Sequence, residues 1–115
     1  VSDEKLMDAV TAVSGSGPAY VFAFLEAMQS AGEKLGLDAK TARQLAYATL
    51  EGAIQLAHNS DEHAGILRER VTSKGGTTAA ALEVMKHHGW HEILEKAIDA
   101  ASQRGKTMGD ELGQH

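Results

Sequence analysis

A chain of 115 residues has room for one domain with a real core but not for two. Its 43% hydrophobic and 23% charged residues describe a globular protein, and with only 4% aromatics any core must be built from Ala, Leu, Val and Ile. A formal charge of −5 with no basic stripe argues against a nucleic-acid partner, and zero cysteines exclude a disulfide framework and a thiol nucleophile, in keeping with a cytoplasmic protein.

The chain opens on "VSDEKLMDAV", acidic and amphipathic, which is no signal peptide. It begins with Val1 rather than Met, so it is expected to be a piece of something longer. Ser2 is placed to cap a first helix, with Asp3 and Glu4 at its positive end and Leu6, Ala9, Val10 and Val13 at helical spacing. "SGSGP" is expected to stop that helix and start the next, with Ser16 as N-cap and Pro18 in the first turn.

The second helix is predicted over residues 18–34. It is apolar on every side through residues 19–25, so it must be buried all round, and a second copy of the chain is the simplest cover. The apolar run "GPAYVFAFL" is far short of the roughly 20 residues that cross a bilayer, so no membrane partner is expected.

Gly36 reads as a C-terminal cap and Asp38 as the N-cap of a third helix running to about Asn59. That helix carries a wide apolar face of Ala42, Leu45, Ala46, Thr49, Leu50, Ala53, Ile54, Leu56 and Ala57. Ser60 is expected to cap a short fourth helix with Ile66, Leu67 and Val71. After "SKGGTT" a fifth helix carries Leu82, Val84 and Met85 and ends at Gly89; a sixth starts near Trp90, and the tail "GKTMGDELGQH" is expected to fray. No strand, repeat or internal boundary shows. The class is all-α.

Three stretches carry candidate chemistry. In "VTSKGGTTAAALE" two glycines and two threonines run into an alanine-rich helix. The first N–H groups of a helix lack internal partners and the dipole adds positive charge there, so an anion suits the spot. GxxxxGK[ST] and a preceding strand are both missing, so a carboxylate fits better than a triphosphate; an ordinary glycine link is the alternative. "SGSGPAY" satisfies neither GxGxxG nor GxSxG, because Tyr20, Ser14 and Pro18 stand where glycines are needed, and reads as a tight turn. His87, His88 and His91 form HHxxH, but Gly89 interrupts the helix that would align them, so no metal site is expected.

Taken together, "DAVTAVSGSGPAYVFAFLEAM", "AGEKLGL", "LRERVTSKGGTTAAALEVM" and "GW" resemble the C-terminal domain of pyrroline-5-carboxylate reductases, from about Leu6 to Lys106. One departure is Lys74, where the family commonly has proline. The resemblance implies an interleaved helical bundle forming an intertwined homodimer, with a higher oligomer such as a decamer open to the full-length enzyme. It also implies reduction of 1-pyrroline-5-carboxylate to L-proline with NADP or NAD, the nucleotide being held mainly by an N-terminal Rossmann domain that this sequence lacks. Gly75, Gly76, Thr77 and Thr78 would hold the substrate carboxylate through their amides, with Ser73 nearby and the Thr78 hydroxyl at the ring nitrogen as the catalytic group. Arg70 and Val71, with Ser16, Gly17 and Pro18, would face the cofactor. Alone, the chain is expected to dimerise without catalysing. The rival readings are a non-catalytic helical dimerisation module and the helical domain of a related imine reductase.

Overall fold

The structure, a computed structural model, describes residues 2–113. Among these there is no strand; the class is all-α, as expected. The elements are α1 (Ser2–Val10), a π-helical turn (Thr11–Gly15), α2 (Gly17–Lys34), α3 (Ala39–His58), α4 (Ala64–Arg70), α5 (Thr77–His87) and α6 (Trp90–Gly113). They fall into two compact units. One takes the first 21 residues and those from Met85 onward; the other is Phe22–Val84.

In the first unit α1, the π turn and α6 pack on one another. Ala12, 1% exposed, lies at their centre. Two expectations fail in this unit. "SGSGP" ends the first helix and leads into the next, but through a π turn: the Ser16 N–H reaches back five residues to the Thr11 carbonyl at 2.9 Å, and α2 begins at Gly17. Ser16 has helical backbone angles (φ −88°, ψ −13°), whereas a capping residue is extended, and it makes no side-chain cap. The tail does not fray within the described residues, since α6 runs to Gly113. Thr107 Oγ donates to the Gln103 carbonyl at 3.0 Å, Arg104 lies 3.8 Å from Glu111, and Asp8 of α1 fills the space beside Gly105. The Ser2 cap and residues 114 and 115 of the tail lie outside what is described.

The second unit is punctuated largely as its sequence suggests. Gly36, at φ +108°, follows the end of α2; its N–H donates to Glu33 and that of Leu37 to Gly32, which is a Schellman cap. Asp38 then accepts from the Thr41 N–H at 2.7 Å and starts α3. That backbone bond, and a smaller side-chain one from Thr41, hold the Asp38 carboxyl below its ordinary value. Its contribution is present above the ordinary carboxyl pKa and is lost as the pH falls through the depressed one. Ala42 of α3 lies against Gly32, so closely that a methyl group built there would meet its Cβ at 3.3 Å. Ser60 does not cap α4: its hydroxyl accepts from the Glu62 N–H at 3.0 Å, closing a local turn, and His63 holds the N-cap position without a side-chain bond.

The cores of both units are thin. Ala12, Ala42 and Ala46 are the buried residues among those described. Phe22 is 66% exposed, and Val21 and Phe24 are open too, so much of the all-apolar stretch of α2 is left uncovered by the described residues. No described helix is long and apolar enough to cross a membrane.

Candidate functional site

The cradle lies between α4 and α5, in the second unit. Thr72 Oγ donates to the Arg68 carbonyl at 2.6 Å, closing the end of α4. The Gly76 N–H donates to the Ser73 carbonyl at 3.0 Å, so residues 73–76 form a β-turn. Gly75, third in that turn, has φ +74°, and no described non-glycine residue has positive φ; the turn is therefore of type II. Type II turns favour proline in the second place, where Lys74 stands. Lysine adopts the same backbone without proline's restraint, so the departure at Lys74 leaves the turn intact.

Gly76 is also the N-cap residue of α5, since its carbonyl accepts the first helical bond, from the Ala80 N–H at 3.1 Å. A glycine cap has no side chain to satisfy the first turn. Among the described residues nothing accepts from the N–H groups of Thr77, Thr78 or Ala79. The Gly76 amide donates within the turn, and Ala79, one residue beyond Thr78, adds an unpartnered N–H that sequence reasoning did not single out. Ser73, Gly75, Thr77 and Thr78 are all exposed, and the two threonine hydroxyls stand beside the free amides.

Arg70 ends α4 and pairs with Glu62, Nη2 to Oε1 at 3.1 Å, and Val71 beside it is exposed and apolar. Ser16, Gly17 and Pro18 belong to the first unit, at the junction of the π turn and α2, with Ser16 and Gly17 half-buried and Pro18 exposed. The histidines are spread along a helix end: the rings of His87 and His88 meet edge to face at 5.2 Å, and His91 lies 3.3 Å from Glu95. Among the described residues no three of His, Asp and Glu gather as metal ligands.

The family model for pyrroline-5-carboxylate reductase dimerisation matches residues 4–108. The chain belongs to that family. It is 49% identical over 114 residues to the pyrroline-5-carboxylate reductase of Pseudomonas aeruginosa, covering 99% of this chain and 42% of that protein. Against pyrroline-5-carboxylate reductase 1 of Bacillus subtilis it is 38% identical, covering 95% of this chain and 37% of the relative. A pyrroline carboxylate reductase of Plasmodium falciparum, solved with NADP bound, superposes with a TM-score of 0.89 at 35% identity, over 91% of this chain and 40% of that one. The chain thus spans about two-fifths of the length of the family members it matches. The matched region includes the cradle, the π turn and the apolar α2.

Proposed function

We propose that this chain is the helical part of an oxidoreductase that reduces 1-pyrroline-5-carboxylate to L-proline, and that the start of α5 receives the substrate's carboxylate. The observation that carries this reading is the row of unpartnered N–H groups at Thr77, Thr78 and Ala79, beneath a glycine cap, inside the region matched by the family. Helix-terminal donors hold a carboxylate by hydrogen bonds and by the dipole. They also fix its direction, and the ring of a bound pyrroline would then lie over the first turn of α5. The Thr78 hydroxyl, which both donates and accepts, orients the ring nitrogen and attends the proton it takes up.

A nicotinamide cofactor supplies the hydride when bound. Val71 offers it an apolar edge and Arg70 a guanidinium, already turned to Glu62. Such groups fit contacts at the margin of a dinucleotide, not its cradle. Ser16, Gly17 and Pro18 are assigned to that margin as well. The cradle itself belongs to the length of the relatives that this chain does not span.

The exposed apolar stretch of α2, in a chain of the dimerisation family, favours two intertwined copies as the working unit, with further assembly of dimers, as in a decamer, in the full-length enzyme. Sedimentation of the 115-residue chain should give twice its 12.2 kDa mass, with no NADPH-dependent turnover. In the full-length enzyme, Thr78→Ala should lower kcat/KM for pyrroline-5-carboxylate about 10- to 100-fold, the worth of a hydrogen bond to a charged group, and leave NADPH affinity unchanged. Unchanged kinetics would remove Thr78 from the mechanism and favour a bare dimerisation module.

A further inference from the structure

The first unit holds a hydrogen bond that neither the cradle nor the dimer requires. Tyr20 Oη donates to the carbonyl of Ala12, eight residues earlier, at 2.9 Å. In an unbroken α-helix that carbonyl would accept from the Ser16 N–H, four residues on. Here the Ser16 N–H bypasses it for Thr11, at 2.9 Å. The tyrosine hydroxyl therefore occupies the acceptor that an α register would give to Ser16.

The surrounding sequence makes this choice delicate. Pro18 brings no N–H, so the ladder loses a donor just where it widens. Gly17, helical and immediately before that proline, is spared the clash that a Cβ meets there. The backbone of "GSGP" is thus sterically open to either register. Ala12 is 1% exposed, so its carbonyl must find a partner within the protein. A single hydroxyl decides which partner that is.

We propose that Tyr20 is a positioning residue: its hydroxyl locks the π turn and so sets where Ser16, Gly17 and Pro18 stand. The inference rests on the reading of those three residues as the cofactor's margin. Without the lock, Ser16 returns to Ala12, and one residue leaves the turn. The turn that carries Ser16, Gly17 and Pro18 then changes its local geometry.

The test is Tyr20→Phe in the full-length enzyme, which removes one oxygen from a half-buried ring, beside Tyr47→Phe as a control. Tyr47 lies on α3 with the Arg43 guanidinium over its ring at 5.2 Å, away from the turn in sequence. Crystal structures report the Ser16 partner, and steady-state kinetics separate KM for NADPH from kcat. The expected result is Ser16 N–H on the Ala12 carbonyl and a KM for NADPH raised about 5- to 10-fold, as for one lost hydrogen bond. kcat should stay within about twofold, and Tyr47→Phe should match wild type. A Tyr20→Phe enzyme whose Ser16 still reaches Thr11 overturns the proposal, whatever its kinetics. So does a shifted register with unchanged KM, which would make the lock merely structural. If the wild-type enzyme does not reduce pyrroline-5-carboxylate, the proposed function falls, and the Ser16 partner in Tyr20→Phe still decides the lock.

Discussion

Residues 14–20 and 71–78 have nearly the same ingredients, each with two glycines, hydroxyl side chains and a helix at its C-terminal end. In the first, both glycines sit inside helical backbone, the N–H of Ser16 stays in the ladder, and a distant tyrosine satisfies the carbonyl left over. In the second, α4 has already ended at Arg70, Gly75 turns to φ +74°, and three amides at the start of α5 are left without partners among the described residues. One segment keeps its glycines in helical backbone while it passes from one helix to the next, the other uses them to turn the chain and begin a helix open-handed. The difference lies in what closes the backbone bonds. A carbonyl is left over just before the first segment, and Tyr20 fills it; N–H donors are left over in the second, and nothing among the described residues does.

Substitutions can break that contrast in graded steps. Gly75→Val places a β-branched residue at positive φ and should cost about 1–2 kcal/mol in chemical denaturation, with weakened carboxylate binding in the full-length enzyme. A variant as stable as wild type would mean that the type II turn is not needed. Thr72→Val keeps the shape but removes the hydroxyl that closes α4, and a loss of about 1 kcal/mol is expected by the same measurement. Lys74→Pro should go the other way, by about 0.4–1 kcal/mol, because the second place of a type II turn already has proline's angles and nothing described accepts from the Lys74 N–H. A destabilised Lys74→Pro would show that the turn is not of this type. Gly15→Ala is the mildest. Its backbone is helical and the new methyl would meet only the Thr11 side chain, Cγ2 at 3.4 Å and Cβ at 3.9 Å, so stability should stay within about 1 kcal/mol of wild type, on the favourable side. A loss as large as that of Gly75→Val would erase the distinction between the two segments.

Sequence could show what neighbours decide. The Asp38 cap, the Gly36 cap and the start of α5 depend on residues within a few places of each other, and each was legible. Serine caps were not, because a serine hydroxyl has several local partners: that of Ser60 goes to the Glu62 N–H, and Ser16 is held in helical backbone by its bond to Thr11. The π turn left no mark in the hydrophobic spacing, and its partner Tyr20 lies two turns away. The end of α6 carries glycines at 105, 109 and 113, which read as fraying. Packing on α1 overrides that propensity, with Asp8 set against Gly105. At the cradle the sequence marked the loop and its glycines, but not that the Gly76 N–H closes the turn or that the Ala79 N–H is left unpartnered.

Three buried alanines are the whole interior that the described residues provide. Alanine gains little by leaving water, so such a chain has scant reason to fold before it meets its mate. Dilution should then act on it as urea does, and its melting temperature should climb with concentration rather than being a fixed property. Freshly made chains would stay vulnerable to proteolysis until a second one arrives, and abundance itself becomes a condition for structure.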